Sequence, residues 1–328
     1  MNKENILVTG GTGFLGNNFM RYLLNKYPDK KIINFSRHTY AVNPLTHQDL
    51  EKLPNYKAVA GDINDVLLFK EVLEKNKIGI LYHLAASTHV DRSFVYPEEF
   101  LQSNVNGTWA ILEVLRKIKK PPTMVFMGTD EVFGDVPCGF CREDEIREPR
   151  NPYSASKAAA EMYCLAYRHS YGLPIIIVRS MNMFGPYQHP EKLIGKIIIN
   201  CLNETHFTLF EGGSVRGWIF VKDTCDALDH VVEKGTIGEI YHIPPDAYKT
   251  VPQVAETILK EMDREFLFDG YKGRRLKDDE RYALDASKFT YDLCWRAPTG
   301  FEEGIRQTID WFEHNPWFWC SYIRDESK

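Results

Sequence analysis

The chain has 328 residues, 44% of them hydrophobic and 26% charged, with a formal net charge of −5. That length allows about two domains and a large core, and the near-average composition excludes disordered, collagen-like and coiled-coil chains. The acidic balance gives no case for nucleic acid, no apolar run approaches the ~18 residues of a membrane span, and seven cysteines, an odd number, read as free thiols of a reducing cytoplasm.

In chain order, Ile6-Leu7-Val8-Thr9 predicts a first strand that is too short to serve as a signal peptide, and helical spacing then runs from Phe14 to Tyr27. Further strands are predicted at Lys31–Phe35, Tyr56–Ala60, Ile78–Tyr82, Thr123–Met127 and Pro174–Val178, with helices over Asp65–Lys75 and Asn104–Ile118. Apolar runs alternating with helices predict an α/β fold: a Rossmann doubly wound parallel sheet covered on both faces. The second half is less regular, with a loop at Phe184–Glu191, a helix at Lys192–Asn203, a glycine turn at Gly212-Gly213 and an aromatic tail from Trp311 to Trp319. No linker marks a boundary, so the second part is expected as a smaller, interleaved C-terminal α/β lobe. The expected division is 1–180 plus about 218–245 for an NAD(P)-binding domain, and 181–217 with 246–328 for a substrate lobe.

The first strand leads into Gly10-Gly11-Thr12-Gly13-Phe14-Leu15-Gly16, glycines spaced for a tight turn and for backbone N–H groups to approach a pyrophosphate at a helix N-terminus. The second strand usually ends in an acid that binds the adenosine ribose. Here it ends in Ser36-Arg37, a hydroxyl and a guanidinium that suit a 2′-phosphate, so NADP is favoured over NAD. Gly61-Asp62-Ile63 is placed to cap the adenine edge. Tyr153 and Lys157 fall one helical turn apart, so the ammonium can favour a phenolate base. With 17 tyrosines the pattern recurs by chance, at Tyr22/Lys26 and Tyr27/Lys31. Only Tyr153 follows the carboxyl edge of the sheet, where ligands bind in this architecture. Thr129-Asp130-Glu131, at the end of an apolar strand, adds what a plain dehydrogenase does not need: two adjacent carboxyls able to divide proton-transfer work.

With these motifs, and with His83-Leu84-Ala85-Ala86, Thr88-His89-Val90-Asp91, Asn182, Gly185-Pro186-Tyr187, Pro190–Ile194, Arg216-x-Trp218 and Arg281–Asp285, the sequence resembles the extended short-chain dehydrogenase/reductases over nearly its whole length. Within them it is similar to the nucleotide-hexose 4,6-dehydratases, most of all the dTDP-glucose group. The resemblance implies a redox-neutral elimination. Tyr153 removes the 4-hydroxyl proton as C4 hydride passes to the nicotinamide. Glu131 takes the C5 proton while Asp130 assists loss of the 6-hydroxyl, and the hydride returns to C6. Thr129 would bind the 4-oxygen, and Lys157 the nicotinamide ribose while lowering the Tyr153 pKa. Leu84, Ala85 and Ala86 are implied to line the tightly bound, recycled cofactor. Thr88, Asn182, Lys192, Leu193, Arg216, Arg275 and Arg281 are implied to serve the nucleotide sugar. A homo-oligomer joined through the Tyr153 helix is also implied.

Departures from the dTDP-glucose pattern lie in the substrate lobe: Asp278 for His, Gly217 for Asp, Gly195 for Pro, and His242-Ile243-Pro244-Pro245 for Asn-Ile-Gly-Gly. They leave UDP-N-acetylglucosamine and dTDP-glucose as equal candidates. A 4-epimerase, which has no use for the two acids, and a non-catalytic NAD(P)-binding protein are the competing readings. Cys138 and Cys141 have C-x-x-C spacing without a second ligand pair, so no metal is expected. His83 and His89 read as structural histidines. The aromatic tail lacks a basic face, which favours packing on the body or another subunit over a membrane surface.

Overall fold

The computed structural model describes residues 4–37, 39, 43–211, 213–274 and 279–325. The strands of the first half are β1 (Asn5–Thr9), β2 (Ile32–Ser36), β3 (Tyr56–Ala60), β4 (Ile78–His83), β5 (Thr123–Thr129) and β6 (Ile175–Ser180). Those of the second are β7 (Asn182–Phe184), β8 (Phe207–Glu211), β9 (Val215–Phe220), β10 (Ile240–His242), β11 (Ala247–Thr250) and β12 (Phe268–Arg274). Seven of them form one parallel sheet in the order β10-β6-β5-β4-β1-β2-β3. The order reverses at β1, between β2 and β4, and that switch point is where ligands bind in open α/β sheets.

The helices are α1 (Phe14–Lys26), α2 (Val66–Asn76), α3 (Val90–Val95), α4 (Pro97–Phe100), α5 (Gly107–Leu115) and α6 (Pro152–Tyr171), then α7 (Leu193–Leu202), α8 (Val221–Lys234), α9 (Val251–Met262), α10 (Ser287–Asp292), α11 (Phe301–His314) and α12 (Pro316–Asp325). Alternate residues of each strand supply the two faces of the sheet. Ile6, Val8, Val125, Met127, Ile176 and Val178 meet α1 and α8 through Phe19, Leu23, Leu228 and Val231. Leu7, Met124, Phe126 and Ile177 meet α2, α5 and α6 through Phe69, Ile111, Leu112 and Cys164. Helix expected over Asn104–Ile118 instead starts as a π-type turn, Leu101–Asn106, before α5. Gly107 begins α5 against Ile63, whose Cδ1 lies 2.3 Å from where a Cβ would sit.

A second core joins α7, α9 and α11 to two small sheets, β11-β9-β7 and β12-β8. The chain returns from it to the large sheet: α8 packs on α1, and β10 pairs with β6. The aromatic tail closes on the body. Phe318 and Trp319 are buried, with the Phe318 ring against Tyr187 and Trp311. Among the described residues no helix is long and apolar enough to cross a membrane.

Candidate active site

The glycine turn is built for something that needs bare backbone. Gly10 has φ +73°, and a Cβ there would stand 2.7 Å from Ala85 Cα; one on Gly16 would stand 2.1 Å from the Gly10 carbonyl. Gly13 caps α1 without a side chain, and no acid occupies the first turn, so the helix N–H groups stay open to an anion. Leu84-Ala85-Ala86 leave β4 alongside this turn, with the Ala85 N–H on the Thr9 hydroxyl at 3.3 Å. These residues fit a dinucleotide pyrophosphate.

At the adenosine end the residues are arranged differently from the sequence expectation. Ser36 is buried, donates to Asn34 Oδ1 at 2.6 Å and accepts the Thr12 N–H at 3.4 Å. Arg37 reaches across to Asp62 at 2.7 Å. Burial would raise Asp62, but hydrogen bonds from Asn64 and the charge of Arg37 hold it below the usual carboxylate range. Ile63 turns its side chain into the core against Gly107, so only its backbone can face a ligand.

Beyond the sheet edge, Tyr153, Lys157, Thr129 and Asp130 are all buried, and Glu131 is half-buried beside them. β5 ends at Thr129, and a 3₁₀ turn over Asp130–Phe133 sets the two acids side by side. Thr129 donates its hydroxyl to Asp130 Oδ1 at 3.1 Å and accepts the Glu131 N–H at 3.3 Å. Asp130 Oδ2 has no partner among the described residues. Burial raises Asp130 to about 6, against the Thr129 hydrogen bond and the Arg216 charge. Burial and then the neighbouring Asp130 raise Glu131 to about 7. Both carboxyls thus hold protons closer to neutrality than ordinary acids do, Glu131 more than Asp130.

Tyr153 is pushed well above the ordinary phenol range by burial and by Glu131 and Asp130, with Thr129 opposing. The Lys157 ammonium donates to the Met127 carbonyl at 2.6 Å and lies over the Phe126 ring. Burial lowers Lys157 to about 8. His83 is structural, with Nδ1 and Nε2 held by Thr9 and Thr108 and its pKa pressed down to about 3 by burial and Lys157. His89 caps α3 and faces Glu191 at 3.3 Å.

The residues expected to serve a nucleotide sugar are spread over the lobe. Thr88 and Asn182 are exposed, Lys192 caps α7 beside Glu191, and Leu193 opens that helix. Arg216 stacks on Tyr282 and donates to the Asp279 carbonyl at 2.7 Å, close enough for its charge to act on both acids. Arg281 instead braces a loop, donating to the carbonyls of Val136 and Gly139. Arg275 and Asp278 lie outside the described residues. Tyr282, whose hydroxyl donates to Asp279 Oδ2, was not singled out by the sequence reading. It stands beside Glu131, which with burial raises its pKa. The glycine at 217 is demanded locally, since a Cβ would sit 1.9 Å from Met181 Sδ. His242 is buried, donates to the Asp285 carbonyl and accepts from Arg179, with burial lowering its pKa to about 3. Among the described residues no His/Cys/Asp/Glu group could hold a metal, and Cys138 and Cys141 are free.

The glycine turn at the head of α1 and the carboxyl pair after β5 belong to one parallel sheet, and the fold is that of the short-chain dehydrogenase/reductases. The family model described as GDP-mannose 4,6 dehydratase matches residues 7–308, and the chain belongs to that family of nucleotide-sugar 4,6-dehydratases, which are hydro-lyases. It is 36% identical to the dTDP-glucose 4,6-dehydratase of Haemophilus influenzae over 334 residues, covering 95% of this chain and 98% of that protein. It is also 36% identical to a trifunctional UDP-glucose 4,6-dehydratase, epimerase and reductase of Arabidopsis thaliana, covering 96% of this chain but 48% of that protein, so the chain spans about half of this longer relative. Among solved structures, the dTDP-glucose 4,6-dehydratase of Bacillus anthracis in complex with NAD superposes with a TM-score of 0.90 at 36% identity, covering 97% of this chain and 99% of that one.

Proposed function

We propose that the protein converts a nucleotide-diphosphate glucose, dTDP-glucose first among them, to its 4-keto-6-deoxy product by loss of water. The observation that carries this reading is the adjacent Asp130–Glu131 pair near Tyr153, with Asp130 buried, Glu131 half-buried, and Asp130 Oδ2 without a partner among the described residues. A 4-epimerase would have to bury these charges without use. Tyr153, with Thr129 beside the phenol, would take the 4-hydroxyl proton as phenolate, the form that the positive charge of an oxidised nicotinamide would favour against burial and the two carboxyls. When bound, the nicotinamide supplies the hydride acceptor for C4, the donor for C6 and, in its oxidised form, a positive charge. Glu131 takes the C5 proton that the 4-ketone acidifies, and Asp130 gives a proton to the departing 6-hydroxyl. Residues 1–180 with about 218–245 would hold the cofactor, and 181–217 with 246–328 the sugar nucleotide. Thr88, Asn182, Lys192, Leu193, Arg216 and Arg281 would serve the nucleotide sugar, with the Arg216 charge acting on both acids.

The cofactor reading moves toward NAD. The Ser36 hydroxyl and the Arg37 guanidinium, which suit a 2′-phosphate by type, are both committed to the protein's own acceptors, Asn34 and Asp62. A 2′-phosphate at Arg37 would approach the Asp62 carboxylate and be repelled. The purified protein is expected to release NAD on denaturation, and to remove 18 mass units from dTDP-glucose, detected by mass spectrometry, with no reductant added. UDP-glucose and UDP-N-acetylglucosamine are the comparison arms. An isomer of unchanged mass would instead support an epimerase, and no turnover a binding protein.

We further propose a homo-oligomer built on α5 and α6, where Trp109, Met162 and Tyr163 are each more than 40% exposed. Trp109→Glu is expected to weaken self-association at least about tenfold, read by analytical ultracentrifugation. An unchanged sedimentation profile would count against this face.

A further inference from the structure

The two acids are held by different hydrogen-bond donors, and the one on Glu131 comes from a side chain outside the reacting set. Asn151 is the N-cap of α6. Its Oδ1 accepts the Ser154 backbone N–H at 2.8 Å, and its own N–H donates to the Ser154 hydroxyl at 3.2 Å. A backbone N–H can only donate, so this cap fixes which end of the amide is oxygen. The other end, Nδ2, is left to donate to Glu131 Oε2 at 3.1 Å. Asp130 is held differently: Oδ1 accepts from the Thr129 hydroxyl, the backbone N–H groups of Asp130 and Glu131 also address its carboxylate, and Oδ2 has no partner among the described residues. A proton placed on Glu131 weakens the acceptor that Nδ2 addresses. The same proton on Asp130 Oδ2 displaces no donor and remains free to be given away.

We propose that Asn151 is a positioning residue that favours the ionised form of Glu131 and aims it as the base of the pair. The proposal rests on the dehydratase reading above. Capping alone does not call for an amide, because Ser, Thr and Asp cap helices equally well. An amide suits the second task, since it offers an acceptor to the helix and a donor to the carboxylate on two separate atoms. Asn151 also stands two residues before Tyr153, so one helix start sets the base and the phenol in register. The Asn151 hydrogen bond opposes the upward shift of Glu131 caused by burial and Asp130, which agrees in sign.

The test uses the full-length protein with its bound cofactor and dTDP-glucose as the probe. Asn151→Asp and Asn151→Ser both retain a good N-cap, so thermal unfolding should match wild type. Asn151→Asp turns a carboxylate toward Glu131. Solvent-deuterium exchange at C5 is expected to fall at least about tenfold at neutral pH, with its acid limb displaced about one pH unit to the alkaline side. Asn151→Ser, which exchanges the amide donor for a shorter hydroxyl without adding a charge, should show a smaller shift of the same sign. Substrate-driven reduction of the bound cofactor, which reports C4 oxidation, should change far less than exchange. An unshifted acid limb, or equal losses in exchange and cofactor reduction, would overturn the proposal. Failure of the dehydratase reading looks different: wild-type protein would neither reduce its cofactor with dTDP-glucose nor release water.

Discussion

Glu131→Gln should retain its bound cofactor and still oxidise dTDP-glucose at C4, yet lose C5 deuterium exchange and water release by a factor of about 10²–10⁴. The substitution keeps the shape of the side chain and an oxygen that can receive the Asn151 amide, and removes only the basicity. Folding should be spared, because Glu131 is half-buried and binds the chain through one side-chain hydrogen bond. The pH dependence carries a definite sign. A base must be ionised, and Glu131 is raised to about 7, so wild-type exchange should climb as pH rises through neutrality and flatten above it. In Glu131→Gln that climb should vanish. Asp130→Asn makes the contrasting case: exchange at C5 persists because the base is intact, while water release slows because no proton reaches the leaving hydroxyl. Mass spectrometry of the product in deuterated solvent separates the two. Wild-type deuterium incorporation in Glu131→Gln would remove this residue from the base role.

The readable parts of this fold are those decided by neighbours in sequence. Tyr56–Ala60 forms a strand with the ends the sequence predicts, and Thr9–Gly16 turns where its glycines require it. The choice of Tyr153 over the other tyrosine–lysine pairs also follows from the sheet edge, and the structure gives those pairs another use. Tyr22, Lys26 and Tyr27 bond Asp226 and Asp229, tying α1 to α8. What stayed hidden depends on partners far along the chain. Arg37 has the right chemistry for a phosphate, but its partner, Asp62, follows from how β2 and β3 lie together. Lys157 has the right spacing from Tyr153, yet the fold brings the Met127 carbonyl within its reach first. Tyr282 reaches the acids from a segment more than a hundred residues away, which no periodicity encodes. Asn151 left one local trace, an Asn-Pro start with Ser three positions on, which marks a helix cap but not the carboxylate it also serves.

Glu161 should prove the most costly single side chain to remove for stability, although it touches no ligand. It lies one turn beyond Lys157 on α6 and is fully buried, as is its partner Arg179 from β6. Arg179 donates to both carboxylate oxygens, at 2.9 and 2.5 Å, and Arg147 adds bonds of 3.0 and 2.8 Å. Glu161→Gln leaves the Arg179 charge in the core with only His242, the Glu143 carbonyl and the Phe133 ring for company. The expected loss is about 3–5 kcal/mol in urea unfolding, because an uncompensated buried charge costs more than the pair ever contributed. The combination Glu161→Leu with Arg179→Met should regain most of it, Arg147 being near enough to the surface to turn outward. Burial alone would raise Glu161, but the hydrogen bonds and charges of Arg179 and then Arg147 hold it below the usual carboxylate range. A carboxylate lowered on folding stabilises the protein above its unfolded pKa, and that contribution is lost as pH falls through the folded value. Wild type should therefore weaken on acidification below about pH 4, near the ordinary glutamate value, more steeply than Glu161→Gln. The same charge supports the active site, since burial lowers Lys157 to about 8 and Glu161 is among the groups resisting that fall. Without it the ammonium loses its proton nearer neutrality, so the residual activity of Glu161→Gln should decline at a lower pH than that of wild type. A variant with wild-type urea midpoint would show that Arg179 has another counter-charge and that this cluster does not stabilise the helix start behind Tyr153.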